Sequence, residues 1–312
     1  MLHILANTLL NTILPIFSII LVGYVLKKKK IIDSSFVRPA NQIVFNIGIP
    51  AMLLNEIAHA PFRENFNLSA VICSLGALVV VVLISQAVIR LFSVDEDRRG
   101  TFLQSSFHGN IGYMAYAIAY YALGEVNFAR MAILSSFLMV GQNLLAVWAL
   151  TNYSEEVRVN GRKGLILKNI VQNPIIVTVA AGIIYSACGL TIPAPVKKGL
   201  DILSGMALPT ALILIGSSLS FGALRNMLME IASIGTLKLL GLPLIGYALM
   251  AMSNVPDGII LPGVIMLASP PATITYVMAT ELGGDPELAA TSVSVFTLAS
   301  AVSYTLILTF LH

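Results

Sequence analysis

Two short stretches decide the fold: residues 105–114, SSFHGNIGYM, and residues 267–276, LASPPATITY. Each lies inside a long apolar run, and each contains residues that interrupt a helix. Pro270 and Pro271 remove two backbone donors, and their rings clash with carbonyls one turn earlier. Gly109 and Gly112 each weaken a helix by about 1 kcal/mol relative to alanine. Both stretches therefore predict helices that are broken midway.

The composition around these stretches predicts a protein whose solvent is lipid. Apolar residues make up 57% of the 312 residues and charged residues 11%, and the mean hydropathy is +0.88. Soluble domains carry roughly a quarter charged residues. We therefore expect a multi-pass protein of the plasma (inner) membrane, in contact with the lipid bilayer, with no nucleic-acid partner and no cofactor. Cys73 and Cys188 lie in apolar runs without metal-ligand spacing, which predicts two core residues.

Ten apolar runs are long enough to cross the roughly 30 Å of hydrocarbon in a bilayer. They are 5–26, 36–57, 68–90, 100–123, 128–151, 165–189, 199–220, 228–252, 258–282 and 287–311. Lysine and arginine concentrate in cytoplasmic loops. With the N-terminus outside, thirteen of these residues flank the cytoplasmic ends and four flank the outer ends. Both termini are therefore predicted to lie outside.

The first half of the chain recurs in the second half. Three proline or glycine positions reappear 159 residues later and two further positions reappear 160 residues later. They are Pro15/Pro174, Gly23/Gly182, Pro50/Pro209, Tyr116/Tyr276 and Gly124/Gly284. Because five is odd, a second unit of five helices enters the membrane from the opposite side. The sequence thus predicts an all-α integral membrane protein with an inverted 5+5 repeat, residues 1–151 and 165–312, as in secondary transporters.

The two broken helices occupy matching places, spans 4 and 9, because Asn110 aligns with Pro270 at the offset of 160. Broken helices at matching places of two repeats indicate a transport site, and their free N-terminal amides suit an anion. The predicted substrate-binding residues are the breaks and nearby polar residues of the spans: Gly109, Asn110, Gly112, Gln142, Pro270, Pro271, Thr273, Thr275 and Asn46.

Acidic residues are missing from the middle of every predicted span. Coupling to protons or sodium usually leaves carboxylates there, so their absence favours an anion site built from helix ends and neutral amides. Proton coupling through His108 or through Asp201, near a membrane face, stays open, as does sodium coupling.

The chain resembles the auxin efflux carrier family, which includes plant auxin exporters and bacterial permeases for malate and malonate. The resemblance extends over all ten spans. It rests on residues 45–50 (FNIGIP), 109–112 (GNIG), 142–143 (QN), 172–174 (QNP), 205–216, 270–281, 285–286 (DP) and 290–291 (AT). It implies a scaffold of spans 1, 2, 6 and 7, a transport domain of spans 3–5 and 8–10, a crossover at spans 4 and 9, elevator-type movement and a homodimer. Asn110 and Gln142 match polar residues of the family's site.

These observations lead to one main hypothesis and two alternatives. The main hypothesis is a secondary transporter of a small organic anion, such as a mono- or dicarboxylate or an auxin-like acid. The alternatives are a sodium-coupled symporter of the bile-acid type and a non-transporting membrane sensor. We do not expect an enzyme, because the sequence has no Gly-x-Ser-x-Gly, no His-Glu-x-x-His and no pair of mid-span aspartates.

Overall fold

The computed structural model describes residues 5–6, 8–59, 62–153, 173–221 and 224–311. Over these residues the chain forms helices and one isolated β-bridge, with no strand. We number thirteen helices in chain order. They are α1 Leu9–Lys28, α2 Ser34–Ile43, α3 Ile49–His59, α4 Phe62–Asn65, α5 Leu68–Leu91, α6 Glu96–Phe107, α7 Ile111–Tyr153, α8 Pro174–Ala187, α9 Ala194–Ser218, α10 Leu228–Met252, α11 Asp257–Leu267, α12 Ile274–Glu281 and α13 Pro286–Phe310.

The all-helical, membrane-spanning class is confirmed. Among the described residues six helices are long and apolar enough to cross a bilayer, namely α1, α5, α7, α9, α10 and α13, while α8 and α11 are shorter apolar helices. The number of ten spans stays a prediction. The predicted connection between the two halves, residues 155–163, and the start of the sixth span lie outside the described residues, as does Gln172 of the family pattern.

Helix α7 contains a chain reversal at Gly124, where the φ of +76° and the ψ of 176° are non-helical. This φ lies in the region that glycine adopts at no steric cost. The two arms of α7 then run antiparallel: the Tyr116 hydroxyl is 2.7 Å from the Ser135 hydroxyl, and the rings of Tyr120 and Phe128 are 5.4 Å apart. The predicted turn between spans 4 and 5 is therefore confirmed.

The helices fall into two groups that pack mainly within themselves. In the first group α1 crosses α9, and α3 packs on α8 and α9. A Cβ atom on Gly23 would clash with the Ile213 backbone, and one on Gly216 would clash with the Ile20 carbonyl. The α1–α9 crossing is consequently a contact of backbone with backbone. In the second group α5 packs on α10, both α6 and α11 pack on α7, and α13 packs on α6 and α12.

The boundary between the two groups contains both direct contacts and open space. The Tyr113 hydroxyl on α7 donates a hydrogen bond to the Asn41 side chain on α2. Ile175 of α8 faces Gly112, where an added Cβ atom would lie 3.3 Å from the Ile175 side chain. A cavity of about 470 Å³ lies between α3, α9 and α7.

The two cysteines differ in their surroundings. Cys73 is buried, as predicted, whereas Cys188 is exposed at the end of α8, so its predicted core position is wrong. The reason is general for a membrane protein: faces that contact lipid are as apolar as faces that pack inside, so an apolar neighbourhood does not separate them.

Candidate functional site

The two predicted helix breaks lie side by side and hydrogen-bond to each other. Helix α6 ends at Phe107 and α7 begins at Ile111, while α11 ends at Leu267 and α12 begins at Ile274. An antiparallel β-bridge joins Gly109 to Pro271 between them.

Two backbone hydrogen bonds flank this bridge. The Asn110 N–H donates to the Pro270 carbonyl at 2.7 Å, and the Ala272 N–H donates to the His108 carbonyl at 2.9 Å. Each break thus supplies a hydrogen-bond partner for a backbone group of the other break. Buried backbone groups need such partners when a helix is interrupted.

Gln142, on the second arm of α7, holds the centre of this bridge. Its side-chain Nε2 donates to the Gly109 carbonyl at 3.2 Å, and its Oε1 accepts from the Gly109 N–H at 3.1 Å. A neutral amide can act in both directions at once because it carries a donor and an acceptor. The structure therefore brings Gln142 to the crossover, where its primary amide fixes the backbone of the first break.

Two buried donors at the crossover have no hydrogen-bond partner among the described residues: Asn110 Nδ2 and the Thr275 hydroxyl. Asn110 is 5% exposed and Thr275 is fully buried. A buried polar atom without a partner costs roughly 1–3 kcal/mol, so such atoms need a reason. One donor follows the first break and the other lies in the first turn of α12, after the second break.

His108 lies in the first break and is buried. Its Nδ1 is 3.3 Å from Gln104 Nε2, and its ring lies parallel to that of Phe107 with centroids 6.4 Å apart. The side chain therefore packs inside the second group of helices, beside the bridge. A role in proton coupling stays a prediction.

The other predicted site residues have different locations. Thr273 is half-buried directly before α12. Asn46 lies on an exposed face, and its Nδ2 donates to the Gln42 carbonyl one turn earlier. Asp201 lines the boundary cavity, accepts from Asn55 Nδ2 at 2.9 Å and pairs with Lys197 at 3.4 Å. No described hydrogen bond joins Asn46 or Asp201 to the crossover.

One residue of the crossover was missed by the sequence analysis. Lys238 on α10 is 1% exposed, and its Nζ donates to the Leu267 carbonyl at 2.8 Å. A Cβ atom placed on Gly109 would lie 3.0 Å from this Nζ. The available signal was a single lysine in the middle of a predicted span, because intramembrane charges usually mark functional positions.

A metal centre finds no support in the part of the chain that the structure describes, where no three His, Cys, Asp or Glu side chains form a cluster. The hydrogen-bond donors at the crossover are amides, hydroxyls and one ammonium group, which suit an anion.

Comparison with known proteins extends over nearly the whole chain. A family model described as "Membrane transport protein" matches residues 8–308. A Rhizobium meliloti protein named "Putative malonate transporter" is 26% identical over 94% of this chain and 92% of its own length. An uncharacterized transporter of Methanothermobacter thermautotrophicus is 24% identical over 94% of this chain and 95% of its own length. Another, from Methanocaldococcus jannaschii, is 26% identical over 69% and 70%.

Proposed function

The chain belongs to the membrane transport protein family, the auxin efflux carrier family of the resemblance, and from that premise we propose that it carries a small organic anion across the membrane. The substrate class that we propose is a mono- or dicarboxylate. The relative from Rhizobium meliloti bears malonate in its name, which makes malonate the first acid to test.

One observation carries this proposal: two buried donors at the crossover, Asn110 Nδ2 and the Thr275 hydroxyl, find no hydrogen-bond partner among the residues that the structure describes. The first turns of α7 and α12 add backbone amides that have no acceptor within their own helices, and these ends carry partial positive charge. A carboxylate accepts several hydrogen bonds at once and suits such a set of donors.

The contacts between the halves support the inverted repeat. Gly48 and Ala207 differ by 159 residues and pack against each other, and Asn110 and Pro270 differ by 160 and are hydrogen-bonded. When two copies are related by a two-fold axis, a residue that lies near the axis contacts its own counterpart in the other copy. The α1–α9 crossing has its counterpart in the α3–α8 crossing, where an added Cβ atom on Gly182 would lie 3.1 Å from the Ile57 side chain.

The two groups of helices support an elevator-type movement. The first group consists of the proposed scaffold, and the second carries the whole crossover. Backbone contact at Gly23 and Gly216 makes the scaffold stiff, because no side chain separates the two helices. The boundary between the groups holds a cavity, which would allow the second group to move as a body. A homodimer formed through the scaffold is part of the same proposal.

Uptake into proteoliposomes and thermal shifts with a panel of mono- and dicarboxylates would test the proposal. A bound acid raises the melting temperature of the folded protein. Thr275→Val and Asn110→Ala are each expected to weaken binding at least about tenfold, because a hydrogen bond to a charged group contributes roughly 1.5–3 kcal/mol. Thr280→Val is the matched control, since Thr280 lies on the exposed side of the same helix and bonds to the Tyr276 carbonyl.

Full uptake of every transported acid by Asn110→Ala and Thr275→Val would contradict the location of the site. A protein that binds no acid of the panel would contradict the substrate class. Uptake that needs sodium would favour the symporter of the bile-acid type, so each series is run in sodium chloride and in choline chloride.

A further inference from the structure

Pro270 and Pro271 leave two carbonyls of α11 without their helical donors. In a continuous helix the N–H of residue i bonds to the carbonyl of residue i−4, so these prolines remove the donors for Met266 and Leu267. The Met266 carbonyl accepts instead from the Ser269 N–H at 3.3 Å and from the Ser269 hydroxyl at 2.8 Å. The Lys238 ammonium replaces the other missing donor by bonding to the Leu267 carbonyl at 2.8 Å.

A serine, a water molecule or another amide could satisfy a neutral carbonyl, so the use of a lysine needs a further reason. A lysine in the middle of a membrane costs about 3 kcal/mol or more. The Lys238 side chain is 1% exposed, and among the described residues no carboxylate forms an ion pair with it. Among the described groups its charge faces the partial negative charge at the end of α11.

The Lys238 ammonium group lies beside the crossover. The Nζ atom lies against Gly109, whose own amide and carbonyl are held by Gln142. In transporters with broken helices, C-terminal ends of half-helices and unwound carbonyls coordinate the coupling cation. Here a carbonyl of that kind is occupied by a covalently attached ammonium group.

We propose that Lys238 is a built-in cation of the crossover: its ammonium group takes the place of a bound sodium ion at the end of α11 and supplies the positive charge that attracts the substrate anion. Anion binding to this protein then needs no sodium. The attraction of the substrate anion rests on the proposed function. The replacement of a bound cation can be tested without any substrate.

The substrate-free test uses Lys238→Ala, which leaves a space lined by the Leu267 carbonyl. The melting temperature of this variant is expected to fall in choline chloride and to recover in millimolar ethylammonium chloride or in sodium chloride, because these cations fit the space and choline does not. The wild-type protein and Lys198→Ala, which removes an exposed lysine, are expected to melt alike in all three salts.

The substrate-dependent test uses malonate as the probe and Lys238→Met, which keeps the length of the side chain without its charge. Malonate binding is expected to weaken at least about tenfold, since a buried charge–charge contact is worth more than 1.4 kcal/mol. Wild-type binding is expected to be equal in sodium chloride and choline chloride. A purely structural lysine would change the melting temperature and leave the malonate affinity of the folded fraction unchanged.

The two proposals can fail separately. If the wild-type protein binds no acid, the proposed function is wrong, and cation rescue of Lys238→Ala still decides the replacement of sodium. If wild-type malonate binding requires sodium, or if no small cation rescues Lys238→Ala, the inference is wrong. Should Lys238→Ala not yield folded protein, unchanged malonate affinity of Lys238→Met would overturn the inference on its own.

Discussion

The second group of helices is tied together by one arginine at each end, and the two arginines use different partners. Arg98, at the start of α6, bonds to Glu230 of α10 at 2.9 Å and to Asp285, before α13, at 3.2 Å. At the other end the partners of the arginine are neutral.

Arg130 of α7 donates to the Asn65 side chain at 3.1 Å and to the Gly258 carbonyl of α11 at 3.0 Å. Arg98 thus joins the beginnings of α6, α10 and α13, whereas Arg130, which follows the reversal of α7 at Gly124, joins the end of α4 to the beginning of α11. An arginine can therefore connect helices through carboxylates or through neutral oxygens. The two ends then differ in what remains when the arginine is removed.

At the first end, the neighbouring carboxylates favour the charged form of Arg98. Burial lowers the pKa of Arg98, but the carboxylates of Glu230 and Asp285 outweigh it and hold the pKa above its ordinary value. Glu230 is 7% exposed, so loss of its cation leaves a carboxylate with little access to water. At the second end, loss of Arg130 leaves only amide and carbonyl oxygens, which are less costly to bury.

The largest effect is expected from Arg98→Met. Breaking a buried ion pair by removing one partner costs about 3–5 kcal/mol, because an uncompensated charge stays behind. Thermal unfolding of the purified protein in detergent measures this loss. Arg99→Met is the control, because its pair with Glu96 is largely exposed and such pairs are worth about 1 kcal/mol or less.

A smaller effect is expected from Arg130→Met. The variant loses hydrogen bonds from a charged donor, which contribute roughly 1.5–3 kcal/mol, and leaves no buried charge. The same melting experiment applies. If Arg130→Met destabilises the protein more than Arg98→Met does, the difference between the two ends does not arise from the charge left behind.

The double variant Arg98→Met/Glu230→Gln tests this cause directly. Glutamine removes the orphaned charge, so about 1–2 kcal/mol of the loss in Arg98→Met should be regained. Glu230→Gln alone should destabilise the wild-type protein. A double variant that is less stable than Arg98→Met would show that the Glu230 carboxylate is not the source of the penalty.

The smallest effect is expected from Thr101→Val, within the charged end. The Asp285 N–H donates to the Thr101 hydroxyl at 2.8 Å, while the Asp285 carboxylate caps α13 through two further amides. Loss of one neutral hydrogen bond costs about 1 kcal/mol. A loss as large as that of Arg98→Met would mean that hydrogen bonding rather than charge holds this end together.

The helix breaks could be predicted because their cause is local. Pro270 and Pro271 cannot donate backbone hydrogen bonds in any surroundings, and the matching position of Asn110 follows from the repeat offset. The association of Gln142 with the break was also predicted, since its span follows directly on the broken one. The structure adds which atoms meet, namely both polar groups of its amide and the Gly109 backbone.

The location of Asn46 and the partner of Lys238 could not be predicted, for two different reasons. Asn46 shares its exposed face with Ile43 and Ile47, and a lipid-facing surface can carry such apolar residues as readily as an inward one, so the neighbours do not tell which face Asn46 lies on. Lys238 lies in the middle of the predicted span 228–252. Its partner, the Leu267 carbonyl, is 29 residues away, and only the packing of α10 beside α11 brings the two together.

The hydrogen bond between Tyr113 and Asn41 has a kinetic consequence. It joins the two groups of helices that are proposed to slide past each other, so it must break and re-form in every transport cycle. A hydrogen bond of this kind contributes roughly 0.5–1.5 kcal/mol, and its rupture slows a step by at most about tenfold. The bond would therefore lengthen the lifetime of the orientation in which it is formed and stabilise that orientation by a similar amount, so Tyr113 would influence both the rate of turnover and the balance between the two orientations.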